Sequence, residues 1–333
     1  MARISRATPS INVEYLQGIH VIDSVLWFDA PRQADLCFVS HAHLGLSIAH
    51  KKVLTTPQTA ALVREKVAPA RALQSPFWRR FALGDLELEL FPAGHILGSA
   101  QIRVTRAGER LVYTGHFNLN PVRVAENASV HECEVLVVPV VYAREHHIFP
   151  PRDEVETAIM DFVRHSHTNG AMPVLLAAPL GNALELVQLL DEHGVKIRAH
   201  RAIIFASRRA RALGVNLPQL KRFDGVADPD DVVLLPPSVD LPSAHRKLPN
   251  ARLALVSGRA MEPGYAERVG VDRAYPLSSH ADRNAVIRYI RESNARRIFL
   301  VGADADLLAG ELRSKRIAAW PLLPSKQLDF FKS

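Results

Sequence analysis

The sequence predicts an α/β protein, because short apolar strands fill its first half and strands alternate with amphipathic helices in its second half. The change in pattern follows the Pro150–Pro151 pair. A chain of 333 residues is ample for a large buried core, and it suggests two domains or one domain that carries a large insertion.

The first half of the chain is predicted to consist mostly of strands. Its apolar or alternating runs are short and are separated by Gly, Pro or charged turns, which is the pattern typical of strands. The predicted strands are His20–Phe28, Leu36–Ser40, Leu86–Phe91, Ile102–Arg106, Leu111–Thr114 and Val135–Val141. One helix is predicted over Pro57–Val67.

Beyond residue 150 the alternation of strands and helices predicts a parallel sheet. Helices are predicted over Glu154–Arg164, Asn182–His193, Asn284–Ser293 and Asp306–Ser314. Strands are predicted at Val174–Ala178, Ala202–Ala206, Val232–Leu235, Leu253–Val256 and Ile298–Val301.

The positive charge is concentrated in one stretch without acidic residues, which lies between His193 and Phe223. Its eight basic residues are Lys196, Arg198, Arg201, Arg208, Arg209, Arg211, Lys221 and Arg222, whereas the whole chain has a net charge of only +7. A local field of this kind suits nucleic acid, either DNA or RNA. A solvated basic face without a partner is the alternative.

The two cysteines, Cys37 and Cys133, give no disulfide framework and favour a reducing cytoplasm. The first ten residues lack the apolar core of a secretion signal. No apolar stretch is long enough to cross a bilayer. We therefore expect a cytoplasmic protein without membrane contact.

Histidine is unusually frequent, with 15 residues. His41 and His43 follow a predicted strand with i, i+2 spacing, so both imidazoles point to the same side and can bind one ion. About 0.7 such pairs are expected by chance at this frequency, and His165-Ser-His167 is a second pair with no evident role.

Three further histidines, His95, His116 and His280, lie beside Gly or Ser after predicted strands or in loops. Five histidines in this arrangement are typical of a site built on loops above a rigid sheet. Three neutral imidazoles are enough for a zinc site. The alternative is a structural protein without a ligand, in which these histidines are remnants within the core.

These segments resemble the metallo-β-lactamase superfamily. More narrowly, they are similar to the β-CASP nuclease group, with its bacterial ligase-associated, exonuclease-like proteins and messenger-RNA 3′-end processing factors. The motifs are Trp27-Phe-Asp-Ala-Pro-Arg, Val39-Ser-His-Ala-His, Pro92-Ala-Gly-His-Ile-Leu-Gly-Ser-Ala-Gln, Val112-Tyr-Thr-Gly, Pro179-Leu-Gly-Asn-Ala-Leu-Glu-Leu, Val256-Ser-Gly and Leu277-Ser-Ser-His-Ala-Asp. The resemblance implies an αββα sandwich formed by residues 1–148 and 251–333, with an α/β β-CASP cap inserted at 149–250.

The resemblance also implies two zinc ions that cleave phosphodiester bonds, because paired metals clamp the attacking and leaving oxygens. His41, His43 and His95 match the histidines of the first metal site, and His116 is a candidate fourth ligand. If the protein is active, Asp29 is the supporting aspartate and His280 assists the leaving group.

Five positions of the family pattern are substituted in this chain, and all of them except Pro139 are ligand positions of the second metal. The substituted positions are Gly45, Leu46, His116, Pro139 and Gly302, where the family has acidic residues or histidines. The nearest substitutes lie in the segment 145–147, which we expect to be a solvated loop. One zinc ion is therefore expected at most, and a second metal is not.

These losses predict a degenerate nuclease, which is a nucleic-acid-binding pseudonuclease or a non-catalytic subunit in DNA or RNA processing. Each 1.36 kcal/mol of lost transition-state stabilisation costs about tenfold in rate, and a missing metal costs several such factors. The alternative is a mononuclear zinc-dependent nuclease or phosphoesterase that uses the three histidines. The resemblance further suggests repair, with an active paralogue, a ligase or a helicase as partner.

Overall fold

The computed structural model describes residues 10–43, 50–63, 71–240 and 250–323. Within these residues the chain forms three sheets, with helices packed against them. The predicted α/β class is confirmed. Each strand predicted in the first half overlaps an observed strand, because the alternation of apolar residues reports directly which face is buried.

Two of the sheets face each other. The first has the order β1 (Val13–Tyr15), β2 (Ile19–Val21), β3 (Leu26–Phe28), β4 (Leu36–Phe38), β5 (Lys52–Thr55) and β6 (Ala72–Gln74). The second contains β7 (Arg80–Leu83), β8 (Leu86–Pro92), β9 (Ala100–Arg106), β10 (Glu109–Tyr113), β11 (Val135–Pro139), β18 (Arg297–Val301) and β19 (Ala319–Pro321). Its spatial order is β19-β18-β11-β10-β9-β8-β7. Buried side chains from both sheets, such as Phe28 and Leu88, share one core.

The third sheet is parallel throughout. It contains β12 (Met172–Leu176), β13 (Lys196–Ala199), β14 (Lys221–Arg222), β15 (Asp231–Leu235), β16 (Ala251–Val256) and β17 (Arg273–Tyr275), in the order β14-β13-β15-β12-β16-β17. The last two strands extend this sheet to residue 275, past the boundary at 250 that the sequence suggests. The division into a sandwich and an inserted cap stays a prediction.

The helices cover the sheets. They are α1 (Pro57–Val63), α2 (Arg152–Thr168), α3 (Asn182–Glu192), α4 (Arg201–Ala212), α5 (Tyr265–Val269), α6 (Arg283–Glu292) and α7 (Ala305–Ser314). The residues predicted as the strand Ala202–Ala206 lie within α4, so that prediction is wrong. A short apolar run does not distinguish a strand from a buried helix face, and here Ile203, Ala206 and Ala210 are buried with helical spacing.

Each helix layer has its own core. Helices α2, α3 and α4 pack on the third sheet, and α6 and α7 pack on the outer face of the second sheet.

Both cysteines are buried free thiols. Among the helices described, none is long and apolar enough to cross a membrane. The cytoplasmic location stays a prediction.

Candidate metal centre

Five histidines from separate parts of the chain meet in one group, called here the histidine cluster. His41, His43 and His95 offer ligand atoms within 4.8 Å of one another, and so do His95, His116 and His280. His95 belongs to both triads. The structure therefore brings together every histidine that the sequence selects for the site, while their roles as ligands remain predictions.

The strand ends explain this convergence. His41, His95 and His116 each lie three residues beyond the end of a strand, namely β4, β8 and β10. Strand β4 belongs to the first sheet and the other two belong to the second sheet. Gly115 allows the loops to meet, because it has φ +55° and a Cβ there would lie 2.7 Å from Ser40 Cβ.

Ser40 connects Asp29 to His41. Asp29 accepts hydrogen bonds from the Ser40 backbone N–H at 2.8 Å, the Ser40 hydroxyl at 2.6 Å and the Tyr113 hydroxyl at 2.7 Å. The Ser40 hydroxyl uses its one proton for Asp29, so His41 Nδ1, at 2.9 Å, donates to the hydroxyl oxygen. His41 consequently keeps its lone pair on Nε2.

His43 and His95 face each other with unprotonated nitrogens. His43 Nε2 lies 2.8 Å from the Leu180 carbonyl oxygen, and His95 Nδ1 lies 3.0 Å from the Ser279 carbonyl oxygen. Because a carbonyl oxygen only accepts, these nitrogens carry the ring protons. His43 Nδ1 and His95 Nε2 are therefore both acceptors, although they are only 3.2 Å apart.

This contact fits a metal ion. Two lone pairs at 3.2 Å repel each other unless a cation lies between them. Two imidazoles on one tetrahedral zinc, with Zn–N distances of about 2.0–2.1 Å, have their nitrogens about 3.3 Å apart. The hydrogen bonds from the other ring nitrogens resemble the outer partners that orient histidine ligands in known metal sites.

The histidine cluster is neutral near pH 7. Burial lowers the pKa of His41, His95 and His280 well below the usual 6.5, and neighbouring imidazoles lower it further. Burial also lowers the pKa of His116 to about 4. Neutral imidazoles retain the lone pairs that bind a metal, so the donor set suits zinc, copper or nickel better than magnesium or calcium.

His116 and His280 form the second part of the cluster. His280 Nε2 lies 3.3 Å from His116 Nδ1, and the two rings are 4.9 Å apart between centroids. Neither of the two triads found within the described ranges contains a carboxylate. Asp29 reaches the cluster only through Ser40.

The substituted positions differ in what the structure shows of them. Gly45 and Leu46 lie outside the described residues. Pro139 ends β11 and pairs with Val301, so it continues the sheet. Gly302 follows β18 with φ +133°, and a Cβ at this residue would lie 2.4 Å from the Val140 carbonyl oxygen.

Other histidines stay apart from both triads. Glu145 and His146 are exposed in a loop, and His147 Nδ1 accepts a hydrogen bond from the Arg144 backbone N–H at 3.2 Å. The pair of histidines at 165 and 167 lies in the last turn of α2. Residues two apart on a helix point to different sides, so these two side chains are not placed to bind one ion together.

Six of the eight basic residues are exposed: Lys196, Arg201, Arg208, Arg211, Lys221 and Arg222. The other two are engaged within the protein. Arg198 forms ion pairs of 2.8 Å with Asp228 and Asp231, and the Arg209 guanidinium donates to the Leu62 carbonyl oxygen. The role of these residues in nucleic-acid binding stays a prediction.

Sequence reasoning missed four groups that orient the cluster: Ser40, Tyr113 and the carbonyls of Leu180 and Ser279. Ser40 could have been identified from the sequence, because it immediately precedes His41. The carbonyls gave no signal, because every residue has one.

Metal affinity is expected to fall as the pH drops through about 6. Burial raises the pKa of Asp29 to about 6, so protonation there removes the charge that holds Ser40 and His41. The buried imidazoles of His41 and His95 remain neutral in this range. Asp29→Asn should lower zinc affinity about 10–100-fold at neutral pH and flatten the pH profile. Zinc titrations between pH 5 and 8 test this, and an unchanged profile in the variant would contradict it.

No family model matches the chain. The chain is similar to a probable DNA ligase of Opitutus terrae, with 31% identity over 322 residues, which cover 96% of this chain and 32% of that protein. It is similar to an RNase J-like protein of Methanocaldococcus jannaschii, with 24% identity over 187 residues, covering 49% of this chain and 44% of that protein.

A third similarity is to endoribonuclease ysh-1 of Neurospora crassa, with 30% identity over 134 residues, covering 39% of this chain and 16% of that protein. The chain spans less than half the length of each of these three relatives.

Proposed function

Because the chain belongs to the β-CASP group of the metallo-β-lactamase superfamily, whose members depend on metals, we propose that it is a nucleic-acid-binding pseudonuclease whose histidine cluster holds one zinc ion. One observation carries the proposal: both triads of the described cluster consist of imidazoles alone. In this view the third sheet is the β-CASP cap, and the protein is a non-catalytic subunit in DNA or RNA processing.

The shared histidine limits the cluster to one ion. His95 Nδ1 is engaged by the Ser279 carbonyl, so only His95 Nε2 is left to bind a metal. The two triads both need this nitrogen, and a neutral imidazole nitrogen binds one metal at a time. A paired centre would also need anionic groups between its ions, and neither triad offers one.

A single ion is poorly suited to efficient cleavage. A bound zinc ion supplies Lewis-acid stabilisation of an oxygen, whereas two-metal sites stabilise both the attacking and the leaving oxygens. His41, His43 and His95 would hold the ion, and Ser40 with Asp29 would orient His41. The leaving oxygen would face imidazoles where the family pattern has a second cation. Each 1.36 kcal/mol lost there lowers the rate about tenfold.

A mononuclear zinc nuclease or phosphoesterase is the second candidate, and one observation favours it. His116 and His280 lie beside the first triad, with ring centroids 4.8 Å from His41 and 4.3 Å from His95 respectively. If His116 and His280 stay free of the ion, one of these neutral imidazoles is placed to donate a hydrogen bond to a leaving oxygen while the site keeps an open coordination position.

DNA is the first ligand to test. The similarity that extends over 96% of this chain is to a probable DNA ligase. This similarity supports a role beside a ligase. RNA is the second ligand to test, because two other relatives are named as an RNase J-like protein and an endoribonuclease. An active paralogue or a helicase is a further expected partner.

The decisive experiment combines binding with cleavage. Zinc-loaded and manganese-loaded protein should bind labelled DNA or RNA without cutting it. The logarithm of the binding constant should fall linearly with the logarithm of salt concentration, since basic residues displace counterions. Metal-dependent cleavage that disappears in His41→Ala would overturn the proposal in favour of the mononuclear enzyme. No binding of any nucleic acid at low salt would reject both the pseudonuclease and the mononuclear nuclease.

A further inference from the structure

The outward face of α4 places an aromatic residue among arginines. The buried residues Ile203, Ala206 and Ala210 define the inner face of this helix. Arg201, Phe205 and Arg208 follow the spacing i, i+4, i+7, so they lie on the opposite face. This row has no acidic residue, because the whole of α4 lacks Asp and Glu.

Phe205 is exposed and already contacts a cation. It is 48% exposed, and the Arg209 guanidinium carbon lies 4.3 Å from the centre of its ring. Single exposed apolar residues are common and need no explanation. Phe205 differs from an isolated exposed apolar residue because Arg201 and Arg209 lie one helical turn before and after it. An aromatic ring within a basic surface is the combination that binds unpaired nucleotides.

Basic residues continue beside the helix. Lys221 and Arg222 are exposed on β14, the edge strand of the third sheet. Besides burial, the charges of Arg201 and Arg222 lower the pKa of His200, which caps α4, so both guanidinium groups lie near the start of the helix.

Contacts link α4 to the histidine cluster. Arg209 donates to the carbonyl of Leu62, in α1. Thr59, also in α1, donates to the Gly98 carbonyl at 2.9 Å, and Gly98 lies three residues after His95. Helix α1 therefore joins α4 to the loop that carries His95.

We propose that the outward face of α4 binds single-stranded DNA, with Phe205 stacking against an unpaired base and Arg201 and Arg208 contacting phosphates. The proposal rests on the proposed function and specifies the form of nucleic acid. Duplex bases are paired and stacked, so their faces are unavailable to a ring on a helix surface. The arginines alone would attract both forms through their charge.

The test compares single-stranded and duplex DNA of the same sequence and length by fluorescence anisotropy. Stacking on one base contributes about 1–3 kcal/mol, so Phe205→Ala should weaken single-strand binding about 5–150-fold. Duplex binding should change less than about twofold. Phe205→Trp should preserve or strengthen single-strand binding, because tryptophan also stacks. The control is Leu307→Ala, which truncates a 58% exposed residue on α7.

The possible results distinguish a failure of this inference from a failure of the proposed function. Equal losses for both forms of DNA would show that the face acts through charge, and an unchanged affinity in Phe205→Ala would place the single strand elsewhere. Either result overturns the inference and leaves the proposed function standing. If the unmodified protein binds no nucleic acid, both fail.

Discussion

Replacing His95 with alanine should weaken zinc binding by two to three orders of magnitude. His95 is the one residue that both triads need, so no alternative set of three histidines remains within the described cluster. Structural zinc binds with about 10–16 kcal/mol, shared among four ligands, so one lost ligand costs a few kcal/mol. The dissociation constant should therefore rise by about 10²–10³-fold.

Competition titration with a zinc-chelating dye measures this change directly, and the absorption bands of bound cobalt report the coordination geometry. The matched control is His165→Ala, which removes an exposed histidine from α2. His116→Ala should have a smaller effect, because the triad of His41, His43 and His95 stays intact. Retention of one tightly bound zinc in His95→Ala would contradict the shared role of this residue.

Restoring the family histidine at position 302 should destabilise the protein rather than rebuild a second metal site. A Cβ on Gly302 would lie 2.4 Å from the Val140 carbonyl oxygen, and its φ of +133° is unfavourable for any residue with a side chain. Val140 is fixed by its own hydrogen bond of 2.7 Å to the Val301 carbonyl. Gly302→His should therefore lower the free energy of unfolding by about 3 kcal/mol or more.

Denaturant unfolding of the two proteins tests this expectation. Gly310→Ala is the control, because Gly310 lies within α7 and a Cβ there would meet no other described segment within 4 Å. That change should raise stability by up to about 1 kcal/mol, since alanine favours a helix. The zinc content of Gly302→His should not exceed one ion. A stable variant with two bound metals would show that the second site can be restored.

The sequence alone determined the fold class and the identity of the five histidines. Strand periodicity and the residues beside each histidine are local features, so they can be read without knowing how the chain folds. The loss of carboxylates from the family pattern was visible in the same way. The strand predicted at Ala202–Ala206 failed because a short apolar run fits a helix as well.

The tertiary structure alone decided how the histidines are arranged and which of their nitrogens carry protons. That His95 belongs to both triads depends on bringing His41 and His280 to one place, although about 240 residues separate them in the sequence. The protonated nitrogens of His43 and His95 are set by the backbone carbonyls of Leu180 and Ser279. Every residue has such a carbonyl, so only the path of the folded chain selects which of them meet a histidine.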